Sequence, residues 1–125
     1  MRLFAILVVV VVLGDLRADE PAKAITPAEA AKKVNEKVTV EMEVKSTGGR
    51  EACFLNSEAD YKDAKNFAVF ISEAALAKFK EAKIENPKEH YKGKLVRVTG
   101  TVVLYRERPE IKVEEPEQIV VVEKK

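Results

Sequence analysis

In the segment Lys94–Arg106 apolar residues recur at every second position, and a glycine stands midway on their face. Val96, Val98, Gly100, Val102 and Leu104 share that face, while Arg97, Thr99, Thr101, Val103 and Tyr105 take the other. Period two over this length is the signature of a half-buried strand. A glycine inside a long strand permits a sharp bend. A long strand that must bend in its middle is what a small barrel requires and what a flat sheet does not. Lys37–Lys45 repeats the pattern, with Val38, Val40, Met42 and Val44 inward and Thr39, Glu41, Glu43 and Lys45 outward.

The remaining elements fall between these two strands or beside them. Thr26-Pro27-Ala28-Glu29 carries an N-cap, a proline at the first helical position and the reciprocal acid of a capping box, so a short helix runs on to about Val34. Ser46-Thr47-Gly48-Gly49 reads as a turn, and Arg50–Asn56 as the returning strand of a hairpin. Ser57–Asn66 is polar and reads as a long loop; Phe67–Ile71 is a third strand with Phe67, Val69 and Ile71 inward. Ser72 caps an amphipathic helix from Glu73 to about Lys83, which Asn86-Pro87 closes. Arg106–Pro109 is a tight turn, Glu110–Glu114 a strand with Ile111 and Val113 inward, and Gln118–Val122 a short closing strand.

Three strands in a meander, a helix, and two further strands make the order of an OB-fold, a five-stranded Greek-key barrel whose helix lies between strands three and four. Here a short helix precedes it. The competing arrangement is an open α+β sheet with helices on one face; the mid-strand glycine and the single bridging helix favour the barrel. Which of Cys53 and Leu55 or Ala52 and Phe54 face the core stays open at this stage.

The start of the chain is of another kind. Met1-Arg2, the apolar run Leu3–Leu13 and a polar stretch to Glu20 match a secretory signal peptide. A spanning helix needs about 20 apolar residues, so the run is too short to cross a bilayer. Residues 1–18 are therefore expected to be cleaved after Ala18, with Ala22 as a second cleavage option and an uncleaved anchor as the alternative. Residues 19–25 are a linker and 26–125 the domain, placing the mature protein in the periplasm or outside the cell with no stable membrane insertion. Cleavage takes two of the 22 basic residues and one of the 21 acidic ones, leaving 20 of each and a net charge of zero. A strong nucleic-acid binder usually carries a basic excess, so any such binding rests on a local patch. The one cysteine, Cys53, cannot form an internal disulfide and reads as a small buried hydrophobe.

Gly93-Lys94-Leu95-Val96-Arg97-Val98-Thr99-Gly100-Thr101-Val102 resembles a strand common in small exported OB-fold proteins of bacteria. So do Phe54-Leu55-Asn56 with Asn66–Ile71, and the ending Tyr105-Arg106-Glu107-Arg108-Pro109-Glu110-Ile111 followed by Pro116-Glu117-Gln118-Ile119. The resemblance spans roughly residues 27–120 and implies the barrel together with a nucleic-acid-binding-like label. Two positions depart from it: Glu107 stands where the turn often has glycine, and Glu110 follows the proline. Both add negative charge.

In this fold ligands lie between the first hairpin loop, here 46–50, and the loop joining strands four and five, here 106–109. Arg50, Arg106 and Arg108 would flank that groove, with Arg97, Lys112 and Lys45 beside it and Tyr61, Phe70 and Tyr105 as its aromatics. Cations for phosphates and aromatic faces for bases are what a single strand needs. The same side chains could equally be a solvated surface paired with Glu41, Glu43, Glu107 and Glu110. One histidine, His90, and one cysteine exclude a His/Cys zinc cluster within one chain. No phosphate loop or nucleophile motif occurs, and Asp60/Asp63 and Glu114/Glu115 lack the ligand density of a calcium site. The sequence thus predicts a monomeric binding module without cofactor, metal or catalysis. Its ligand is single-stranded nucleic acid or, alternatively, a protein or oligosaccharide; a metal-dependent hydrolase ranks below both.

Overall fold

A computed structural model describes residues 23–123. The expected signal peptide, residues 1–18, lies outside the described residues, as does most of the expected linker. The last two linker residues form a strand: β1 (Ala24–Ile25) pairs in parallel with Thr39-Val40. The predicted capping box follows. Thr26 Oγ1 accepts the Glu29 N–H at 3.1 Å and the Glu29 carboxylate accepts the Thr26 N–H at 3.0 Å, starting α1 (Pro27–Ala30).

The alternating segments are strands as expected. β2 (Lys37–Glu43) pairs antiparallel with β6 (Leu95–Tyr105), from Lys37 opposite Thr101 to Glu43 opposite Leu95. At Val102, β6 changes partner to β7 (Arg108–Val113). Gly100 lies two residues before the change, and a Cβ there would meet Ile111 Cγ2 at 2.6 Å. The missing side chain lets Ile111 close over the bend.

Ser46–Gly48 is not the predicted turn. It is β3, paired antiparallel with β4 (Cys53–Asn56). The chain bends earlier, at Val44 and Lys45. Val44 N–H donates to the Lys94 carbonyl and Lys45 N–H to the Asn56 carbonyl, so the backbone changes partner within two residues. The turn proper is 49–52. Gly49 has φ +100°, and a Cβ there would meet the Ala52 carbonyl oxygen at 2.3 Å. β4 pairs antiparallel with β5 (Ala68–Ile71), which pairs in parallel with β7. β8 (Ile119–Val121) adds to β6. The sheet path is β1-β2-β6-β7-β5-β4-β3 with β8 beside β6: eight strands in one mixed, unclosed sheet among the described residues, where the sequence predicts five. β3 forms where a turn is predicted, β1 falls in the expected linker, and β8 is the short closing strand expected beyond the five.

Two helices, not one, join β5 and β6. Ser72 Oγ accepts the Ala75 N–H at 3.2 Å and starts α2 (Glu73–Glu81). α2 ends before Asn86-Pro87 because Lys83 adopts φ +72°, with Lys83 N–H bonded to Lys80 O and Ile84 N–H to Phe79 O, a left-handed helix stop. Pro87 instead begins α3 (Pro87–Tyr91). Phe79 and Tyr91 are buried from these helices and meet edge to face at 6.4 Å between centroids. They cover the core of Val40, Val44, Leu55, Val69, Ile71, Val96, Val98, Val102, Ile111 and Val113. Full burial of a side chain such as Phe79 contributes about 1.5–3 kcal/mol. Cys53 and Leu55 both face this core, leaving Phe54 outward, and burial pushes the Cys53 thiol up to about 11. Leu104, predicted inward, is 55% exposed because β6 runs past the end of the core.

Candidate functional site

The outer face of β3, β4, β5 and β7 is set out in rows by the strand register. Gly48, Phe54, Phe70 and Lys112 make one row, and Ser46, Asn56, Ala68 and Glu110 the next. Each row crosses the sheet because inward partners such as Leu55, Val69 and Ile111 alternate with them along the strands. Phe54 and Phe70 lie 5.0 Å apart between ring centroids, tilted at 45°. Ala68, the smallest side chain of the second row, leaves a hollow between Asn56 and Glu110.

The loop between β4 and β5 stands over this hollow and is held by its own polar side chains. Asn66 Nδ2 donates to Asn56 Oδ1, Asn56 Nδ2 to Ser46 Oγ, and Ser46 Oγ to the Glu58 carbonyl at 2.7 Å. Asn66 Oδ1 accepts the Glu58 N–H at 3.1 Å, and Ser57 Oγ the Phe67 N–H at 2.9 Å. Asn56, Ser57 and Asn66 are buried, and a connected network of this kind satisfies groups whose burial would otherwise be costly. Asp60 and Asp63 accept the Lys62 and Lys65 N–H groups in Asx turns, so each has one carboxylate oxygen committed to the loop backbone. Among the described residues no group of three or more His, Cys, Asp or Glu could hold a metal ion.

Across the hollow stands the β6–β7 hairpin. Tyr105 pairs with Arg108 across a two-residue turn, and Arg106 and Glu107 have φ +53° and +66°. Two consecutive left-handed residues define the turn type that matches strand twist, a conformation that favours Asn and Gly. The Arg106 guanidinium lies over the Tyr105 ring, 5.3 Å from its centroid. Between this hairpin, the 46–49 segment and the 57–66 loop is a cleft of about 710 Å³. Phe54, Tyr61 and Tyr105 supply its aromatic walls, with the two tyrosines 63% and 52% exposed.

The predicted site residues divide. Tyr61, Tyr105, Arg106 and Arg108 line the cleft. Arg108, however, donates to the Tyr61, Lys62 and Asp63 carbonyls at 3.0–3.4 Å, so its guanidinium clamps the loop. Phe70 and Lys112 lie one row away, on the same face but outside the lining. Arg97 is elsewhere: it sits opposite Glu41 on β2 and pairs with that carboxylate at 2.8 Å. Arg50 lines a separate hollow of about 380 Å³ beside α2 and α3, because the 49–52 turn is drawn to α3 by Lys88, whose Nζ donates to the Gly49 carbonyl. His90 is exposed.

Sequence reasoning missed the amide network and Glu110. Glu110 lines the cleft yet is only 8% exposed. Its register neighbours are Ala68 and Val103, and no hydrogen bond or ion pair among the described residues reaches its carboxylate. Burial holds its carboxyl above the usual carboxylate range, partly offset by Lys112.

No protein-family model matches the chain, and no curated protein matches it. Solved structures do. An aspartyl-tRNA synthetase from Entamoeba histolytica is 16% identical with a TM-score of 0.58, covering 83% of this chain and 23% of that one. A protein described as an aspartyl-tRNA synthetase from Leishmania major Friedlin is 16% identical with a TM-score of 0.53, covering 81% of this chain and 21% of that one. An OBody bound to hen egg-white lysozyme is 18% identical with a TM-score of 0.57, covering 84% of this chain and 98% of that one. The chain thus spans about a fifth of the length of the synthetases. At these identities the likeness concerns fold, and it supports an OB-type architecture.

Proposed function

We propose that the protein is an exported, monomeric binding module of the OB type, and that its cleft takes a short stretch of single-stranded nucleic acid. In this reading β2 and β3 are halves of one bent strand, which returns the sheet path to its start and makes a five-stranded barrel with β1 and β8 as additions. The basic start Met1-Arg2 and the apolar run Leu3–Leu13 support export.

The observation that carries the ligand assignment is the pairing of two exposed tyrosines with a hydrogen-bonding floor in one cleft. Stacking needs flat apolar faces open to solvent, and Tyr61 and Tyr105 present them. Arg106, whose guanidinium has no carbonyl or carboxylate partner among the described residues, is placed to meet a phosphate. The volume, about 710 Å³, suits one or two nucleotides rather than a long strand. The likeness to part of two synthetases, proteins that act on tRNA, agrees with this reading. Binding rather than catalysis fits a cleft whose one buried acid stands alone.

A second reading has its own support. Arg108 is spent on the loop and Glu110 is negative, so the cleft attracts phosphate weakly. A protein or oligosaccharide ligand needs no such attraction, and the OBody is described with a protein bound. Alanine substitutions separate the two. Tyr61→Ala and Tyr105→Ala should each weaken binding of a labelled single strand by about 1–3 kcal/mol. Arg97→Ala, outside the cleft, should leave it unchanged. Equal losses at all three positions, or at none, would move the ligand elsewhere.

A further inference from the structure

Among the polar side chains of the cleft, Asn56 and Asn66 bond to each other and to the loop, and Arg108 bonds to backbone carbonyls. Glu110 alone is both buried and without a partner among the described residues. Folding takes its carboxylate largely out of water and returns only the partial offset of the Lys112 charge, a cost that sequences normally avoid by pairing or replacing the acid. The carboxylate lines an open cleft, so the missing partner can arrive from outside the chain.

We infer that Glu110 makes the cleft selective for guanine, an inference that rests on the single-strand reading above. An ionised carboxylate is an acceptor only, with two oxygens side by side. The pairing edge of guanine carries two adjacent donors, the ring N1–H and the exocyclic amino group, which match two oxygens. Cytosine and adenine each set one donor beside an acceptor, and thymine and uracil set one donor between two acceptors. Those edges leave one carboxylate oxygen facing a lone pair. Tyr61 and Tyr105 hold the base by its faces without choosing among bases. Glu110, on the floor between Ala68 and Val103, reads the edge.

The experiment compares labelled oligothymidylates carrying a single central guanine, inosine, adenine or thymine, each titrated against the full protein at low salt. Guanine should bind roughly ten-fold tighter than adenine or thymine, with inosine, which lacks the exocyclic amino group, in between. Glu110→Gln, whose amide sets one donor beside one acceptor, should abolish the guanine preference and bring the adenine strand level with or above the guanine strand. Equal affinity of the wild-type protein for all four strands overturns the inference and leaves the single-strand reading standing. A preference for adenine or thymine overturns it in the same way. Failure of every strand to bind overturns both. The wild-type comparison needs no variant to fold.

Discussion

Glu110 follows Pro109 on a strand whose inward residues, Ile111 and Val113, are set by alternation. Its outward placement was legible in the sequence, but its burial was not. Outward normally means solvated, and here the 57–66 loop, clamped by Arg108, stands over that face. The raised carboxyl has a signed consequence. Between the ordinary and the raised pKa the folded state binds more protons than the unfolded chain, so Glu110 costs stability that grows as pH rises through that window and is absent below it. Glu110→Gln should therefore raise the melting temperature at pH 7, with the gain shrinking towards zero near pH 4. A gain independent of pH would show that the charge is not its source. Glu107 is the second informative residue. Its φ of +66° is one that L side chains resist, at a cost of roughly 1–2 kcal/mol. Glu107→Gly should stabilise the protein by about 1 kcal/mol in a denaturant titration, and no gain would mean that the side chain contributes more than charge to the hairpin.

The element most legible in the sequence is β6. Its alternation identified the residues that face the core from Val96 to Val102, though not Leu104 beyond them, and Gly100 marked where it bends. The structure adds the reason: Ile111 occupies the space a side chain would take. Gly100→Ala should destabilise the fold by about 1–3 kcal/mol through overpacking, and Ile111→Ala, which removes the Cγ2 it meets, should cost less in that chain than in the unaltered one. A neutral Gly100→Ala would contradict the packing described. The elements around the cleft were read less well. Ser46-Thr47-Gly48-Gly49 has turn composition, yet pairing with β4 keeps its first three residues in a strand and moves the turn to 49–52. Composition registers conformational permission, whereas the hydrogen bonds of Val44 and Lys45 to two different partners decide where the chain bends. α3 was missed for a related reason: Pro87 is as good a helix start as it is a stop for the preceding segment.

For the molecule as a whole, element order carried the fold further than any motif carried the site. Five expected strands and a bridging helix anticipated an OB-type architecture, and the structural neighbours agree in fold at 16–18% identity. Cation placement was the weak link. Arginines near a groove in sequence were expected to serve it together, but pairing partners redistribute them. Arg97 goes to Glu41, Arg108 to the loop carbonyls and Arg50 to the far side of the 49–52 turn. What is left is a cleft of aromatic walls, amide floor and, among the described residues, one guanidinium without a carbonyl or carboxylate partner, so binding should rest on stacking and depend little on salt. Each phosphate contact to a single strand contributes about −0.7 to the slope of log affinity against log salt. The most direct measurement is the affinity of the protein for a short labelled single strand from 50 to 200 mM salt. Measurable binding with a slope between about −0.7 and −1.4, one or two phosphate contacts, is the predicted result. Absence of binding at the lowest salt would contradict the assignment of the cleft to nucleic acid, and a slope several times steeper would place the contact on cations elsewhere on the surface.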